Sequence, residues 1–106
     1  EMYDKGANVT LSSDWNVHEI NPLVGIANSV IMGKSGLPDI KSAIDAYTIN
    51  AAKSLGIDDI TGSISVGKSA DFVLLSDDIT RLPLSKIKQT QVLMTVVMGD
   101  IVYDAE

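Results

Sequence analysis

The sequence predicts an α/β chain: one short strand, two helices, and then a small β region. Three patterns carry that expectation. A brief run rich in β-branched residues reads as a strand over Val9–Ser12 that leads into Ser13, Asp14 and Trp15. Apolar residues then recur at helical spacing between Leu23 and Leu55. From Gly62 onward the period changes to two, the mark of strands.

Composition sets the bounds. With 106 residues the chain is long enough for one domain with a modest core. A hydrophobic share of 45% and a charged share of 21% exclude disorder as the main state. The formal charge of −6, with no cluster of Lys or Arg, argues against a nucleic-acid partner. No apolar run approaches the roughly 20 residues that span a bilayer, so no membrane association is expected. The N-terminus lacks the basic-then-apolar pattern of a signal peptide. The absence of cysteine excludes disulfides, thiolate chemistry and Cys-based zinc sites, and together these features predict a cytoplasmic protein. The first residue is Glu1 rather than Met, and the strand at Val9–Ser12 has no neighbour of its own kind nearby. A lone parallel-type strand needs partners, so the chain is expected to be a C-terminal piece of something larger.

Glu1 to Lys5 reads as the end of a helix, with Gly6 beyond it where a left-handed residue is needed. After the strand, Asp14 to Asn21 is polar and reads as loop. Asn21-Pro22 starts a helix, Asn as cap and Pro at the first helical position. Leu23, Ile26, Ala27, Val30 and Ile31 give it an apolar face, and Gly33 and Gly36 end it. Asp39 opens a second helix that runs to Leu55, with Ile40, Ala43, Ile44, Tyr47, Ala51 and Leu55 on one face and Gly56 as its stop. Ser63–Val66 and Ala70–Leu75 read as strands about a Gly67-Lys68 turn, the second apolar enough to be an inner strand. Leu84 to Lys88 suits one helical turn. Gln91–Met98 and Ile101–Asp104 read as a hairpin turning at Gly99-Asp100.

One motif misleads. Residues 62–69 match the phosphate-loop pattern G-x-x-x-x-G-K-S letter for letter. That loop must follow a buried strand and open a helix, so that helix N–H groups face the phosphates. Here Gly56 to Thr61 is polar and Ala70 to Leu75 is strand-like, so a β-turn with a solvated Lys68 is the better reading.

Asp14 is the candidate that matters most, because ligands gather at the carboxyl ends of strands in parallel α/β folds. Taken alone, an acid there is better explained as a helix or turn cap. Trp15 reads first as packing and second as a substrate contact, and His18 first as an exposed loop histidine and second as lining a pocket. Asn8-Val9-Thr10 fits a glycosylation sequon by chance, in what reads as a buried strand. Asp58-Asp59 and Asp77-Asp78 lack the alternating oxygen spacing of calcium loops and read as solvated turns.

Several segments together carry a family resemblance. Tyr47-Thr48-Ile49-Asn50-Ala51-Ala52, Leu55-Gly56, Gly62-Ser63-Ile64, the run Gly67 to Leu75 and the run Val92 to Tyr103 resemble the C-terminal end of the amidohydrolase superfamily. The branch containing formamide deformylase-like metal-dependent hydrolases is the most similar. Ser13-Asp14-Trp15 matches at the right distance upstream, although the family often has Pro where this chain has Asn16.

The resemblance implies an α/β fragment: the last strand and following helices of a (β/α)8 barrel in residues 1–60, and the C-terminal strands of a small β-sandwich in residues 61–106. It implies that Asp14 is both a metal ligand and the catalytic general base, with Trp15 and His18 as lesser candidates for substrate binding. The parent would hydrolyse a C–N bond in a small amide or cyclic amide, using zinc or a similar divalent ion. The family's other ligands, a His-x-His pair among them, are not in this chain, so the fragment alone is expected to be inactive and to bind no metal. A homo-oligomer is expected, and the uncovered helix faces and strand edges predict self-association of the isolated chain. The competing expectation is a free-standing, non-catalytic α+β oligomerisation module.

Overall fold

The computed structural model describes residues 8–11, 21–31 and 38–105. Helices occupy the first part of this range and a three-stranded antiparallel sheet the last. The elements are α1 (Pro22–Ile31), α2 (Ile40–Tyr47), α3 (Ile49–Leu55), β1 (Phe72–Leu75), α4 (Leu84–Ile87), β2 (Val92–Val97) and β3 (Asp100–Asp104).

α1 begins as its sequence dictates. The Asn21 side-chain oxygen accepts from the Leu23 N–H at 3.0 Å, and Pro22 occupies a position whose N–H needs no partner. α2 is capped by Asp39, whose carboxylate accepts from the Ser42 N–H at 2.8 Å. These bonds, from the Ser42 hydroxyl and backbone, hold the Asp39 carboxyl below the usual carboxylate range.

The helix expected from Asp39 to Leu55 is two helices, broken at Thr48. Thr48 has φ −120° and ψ −94°, outside the helical region. Its hydroxyl donates to the Ile44 carbonyl at 2.7 Å, four residues back, a bond that competes with the helical ladder and bends helices. The break changes which face is buried. Ala43, Ala46 and Ala52 are buried, whereas Leu55, expected on the apolar face, is 74% exposed.

Two small cores meet at α1. Leu23 and Ala27 pack with Ile79 and Ile87 of the segment around α4. Ile26 packs with Ala43 and Ala46 of α2, and Val9 and Leu11 lie against that second cluster. Ile40 and Ile44 touch both. Ile87 is fully buried, which contributes roughly 1.5–3 kcal/mol for a side chain of its kind.

In the sheet the order is β1-β2-β3, with Val73 opposite Thr95 and Thr95 opposite Tyr103. β1 is therefore an edge strand among the described residues, not the inner strand its apolar run suggested. Phe72, Val73 and Leu74 are between 40% and 52% exposed. The hairpin turns on Met98 and Gly99, at φ 52° and 83°, one residue earlier than expected. Both positive angles suit the two-residue turn that matches strand twist. Ser63–Val66, expected as strand, is irregular backbone of bends and a turn. The Ser69 N–H donates to the Ile60 carbonyl at 2.8 Å, so the segment loops back on itself instead of joining the sheet.

Ser12 lies outside the described residues, and residues 8–11 join no sheet. No parallel partner strand is present among the described residues, and the segment takes its hydrogen bonds from α2 and α3 instead. No helix among the described residues is long and apolar enough to cross a membrane.

Candidate functional site

Asp14, Trp15 and His18 lie outside the described residues, as do Gly33 and Gly36. What the structure does describe is the approach to Asp14, residues 8–11. The Thr48 break sets up this approach. In an unbroken helix the Ala46 carbonyl would accept from the N–H of residue 50. Here the Leu11 N–H donates to it at 3.1 Å. One turn further on, the Asn50 side-chain amide donates to the Val9 carbonyl at 3.0 Å. The Asn8 amide reciprocates, donating to the Asn50 carbonyl and to the Ser54 hydroxyl, both at 3.2 Å. Asn50 and Ser54, four apart, share one face of α3, while Ala46 presents its carbonyl from the end of α2 across the break. The segment is thus read by a row of polar groups along α2 and α3.

Asn8 stood out in the sequence only as part of a chance sequon and Asn50 only within the resemblance; neither, nor Ser54, was read as a site residue. The available signal was Asn50 itself, a poor helix former placed inside an otherwise apolar and alanine-rich helix.

A second polar node lies at the start of the sheet. Asp71 accepts from the Met98 N–H at 2.7 Å, the Thr61 hydroxyl at 2.7 Å and the Ser69 hydroxyl at 3.0 Å. The Met98 amide, then the two hydroxyls, hold its carboxyl below the ordinary range. Both oxygens are engaged, so Asp71 ties the loop after α3 to the β2–β3 turn and is poorly placed to accept a proton from a substrate.

The phosphate-loop look-alike resolves into the same joint. Gly62 has φ +103°, and a side chain there would begin 2.8 Å from the Ala52 Cβ and 3.1 Å from the Ile49 Cα. No helix follows; the next element is β1. The Lys68 ammonium donates to the Ser63 hydroxyl at 3.0 Å. The glycine is required by close packing on α3, and the lysine closes its own turn.

Beside this joint an open groove of about 660 Å³ runs between α3 and β1, lined mainly by apolar side chains such as Tyr47, Ile49, Leu55, Ile57 and Phe72. Its two carboxylates are committed, Asp71 as above and Asp45 to Lys41 at 3.1 Å. The groove is a packing surface in character. Among the described residues no group of three His, Cys, Asp or Glu side chains is arranged to hold a metal ion, so these residues do not by themselves fit one.

Comparison with known proteins agrees with the fold. Residues 1–103 match the Amidohydrolase family. N-substituted formamide deformylase of Arthrobacter pascens is 31% identical over 97% of this chain and 20% of its own length. Imidazolonepropionase of Bdellovibrio bacteriovorus is 37% identical over 73% of this chain and 18% of its own length. The crystal structure of an amidohydrolase from Thermotoga maritima superposes with a TM-score of 0.80 at 25% identity, covering 97% of this chain and 24% of that one. The chain spans about a fifth of the length of the curated relatives it matches. The α/β fold is that of amidohydrolases, and, matched along nearly its whole length, the chain belongs to the amidohydrolase family.

Proposed function

We propose that this chain forms the C-terminal part of an enzyme that hydrolyses C–N bonds in small amides or cyclic amides, and that Asp14 is its proton acceptor. The observation that carries this is the family match from residue 1 to residue 103, which takes in Asp14 and the segment leading to it. The relatives named above as a deformylase and as imidazolonepropionase support the bond type. In this reading residues 1–60 complete a (β/α)8 barrel, and residues 61–106 complete a small β-sandwich. The half-exposed apolar residues of β1 and β3 support the second assignment, since such surface is usually covered.

Asp14 takes a proton from the attacking water as the water oxygen bonds to the carbonyl carbon. It returns that proton to the nitrogen as the C–N bond breaks. Trp15 shields the carboxylate from bulk water and His18 borders the substrate; both are secondary assignments. A divalent ion, when bound, would make that water more acidic. Asp14 offers it one carboxylate, and the remaining ligands would come from outside this chain. We place the enzyme in the cytoplasm as a homo-oligomer acting on a small-molecule substrate.

The test uses the complete gene product that carries this chain. Purified protein is assayed for hydrolysis of an N-substituted formamide and of imidazolonepropionate, with zinc content measured alongside. The expected result is turnover of one of them and a loss of about 10²–10⁴-fold in Asp14→Asn. Undiminished turnover in that variant, or no turnover of either compound, would refute the proposal.

A further inference from the structure

We infer that Asn50 is a positioning residue for the catalytic segment, acting with Asn8 to fix residues 8–11 against the break between α2 and α3; this rests on the role proposed for Asp14. Four contacts converge there. The Asn50 amide holds the Val9 carbonyl, the Asn8 amide holds the Asn50 carbonyl and the Ser54 hydroxyl, and the Leu11 N–H holds the freed Ala46 carbonyl. A strand in a sheet has its height set by a ladder of neighbours. On this side of the segment the helix pair supplies the ladder instead. The bonds run in both directions, helix to segment and segment to helix. Sliding the segment by one residue along the helices would break all of them at once. Leu11, the last residue so held, stands three positions before Asp14. Val9 and Leu11 also rest on the core cluster of Ile26, Ala43 and Ala46, so apolar packing presses the segment toward α2 while the amides choose its register.

The contact makes a distinctive demand. Asn50 must donate to a carbonyl, so Asp, which has nearly the same shape but only acceptor oxygens when ionised, fails at this position. Asn50→Asp should leave the bulk of the fold in place while repelling the Val9 carbonyl. A displacement of the reacting group by about 1 Å costs on the order of 10²-fold in rate.

The experiment compares wild type, Asn50→Asp, Asn8→Ala and Asp14→Asn in the complete gene product, using whichever of the two amides the wild type hydrolyses. Hydrogen exchange reads the Leu11 amide, and steady-state kinetics separate kcat from KM. For Asn50→Asp the expected result is faster exchange at Leu11 and a kcat lower by about 10–100-fold, with KM changed by less than about threefold. Asn8→Ala, a gentler change, should show the same pattern with a smaller drop in kcat, and it carries the test if Asn50→Asp does not fold. Wild-type kcat in the folded Asn50 and Asn8 variants, with Asp14→Asn inactive, would overturn the positioning role alone. Full turnover in Asp14→Asn would overturn both.

Discussion

Replacing Gly62 with Ala should destabilise the protein far more than the same change at Gly67, although both glycines have φ near +100°. The comparison isolates two physical costs. At Gly67, with φ +90°, an added Cβ meets no atom within 4 Å, so only the backbone penalty applies. A non-glycine residue with positive φ costs about 1–2 kcal/mol. At Gly62, with φ +103°, the same penalty is joined by contacts of 2.8 Å to the Ala52 Cβ and 3.1 Å to the Ile49 Cα. Neither neighbour can swing aside: one is a side chain that ends at Cβ, the other is helix backbone, and Ala52 is buried. Overpacking of this kind costs about 1–3 kcal/mol, so Gly62→Ala should lose roughly 2–5 kcal/mol in all. Urea denaturation of both variants, followed by far-ultraviolet circular dichroism, measures the gap. Indistinguishable midpoints for the two would refute the close approach of the 61–63 loop to α3. Phosphate or nucleotide binding that disappears with Gly62→Ala would instead restore the phosphate-loop reading.

Other expectations follow from the same geometry. Ile87→Ala should cost about 2–5 kcal/mol because the side chain is fully buried, while Leu55→Ala, at a largely exposed position, should stay within about 0.5 kcal/mol; thermal unfolding compares them. Asp71 has a depressed folded-state pKa, so its contribution is complete above the unfolded carboxylate value of about 3.9 and fades as pH falls through the lower folded value. Asp71→Asn should therefore lower stability at neutral pH and flatten its decline on acidification, which denaturation midpoints between pH 7 and pH 2 would reveal. Met98→Asn should stabilise the hairpin by a few tenths of a kcal/mol, since Asn tolerates the left-handed conformation better than Met at φ 52°; a fall in melting temperature would count against that turn geometry.

Much of the architecture was legible in the chain because its punctuation is local. Asn21-Pro22 and Asp39 announce helix starts through bonds to residues two or three positions away, and the structure shows those bonds. The hairpin was legible from two strand-like runs about the Gly99-Asp100 turn signal, displaced by one residue at its turn. The break at Thr48 was not, because hydrophobic spacing continues across it and the competing hydroxyl bond leaves no pattern. Ser63–Val66 alternates like a strand, yet the Ser65 carbonyl accepts from the Lys68 N–H in a turn, and the flanking Ser69 N–H reaches back to Ile60. The edge position of β1 depends on which strands pair, and a run of apolar residues cannot specify that. Of the site, Asp14 was singled out as an acid at a strand end, its role as ligand and base came from resemblance, and Asp14, Trp15 and His18 lie outside the described residues. The polar row that receives residues 8–11 joins positions about forty apart, a separation at which a single sequence carries no pairing signal.

The interruption between α2 and α3 makes the protein unevenly sensitive to changes in length. Asn50 and Ser54 are carried by α3 and the Ala46 carbonyl by α2, so deleting one residue between Ala46 and Asn50 would rejoin the two helices differently and part Asn50 and Ser54 from that carbonyl. A single-residue deletion among Asp58, Asp59 and Ile60 leaves that row facing the same way, and the slack can be taken up in turns. Lineages carrying this chain should therefore vary in the loop that follows α3 while keeping the count from Ala46 to Ser54 fixed, even where the side chains between them drift.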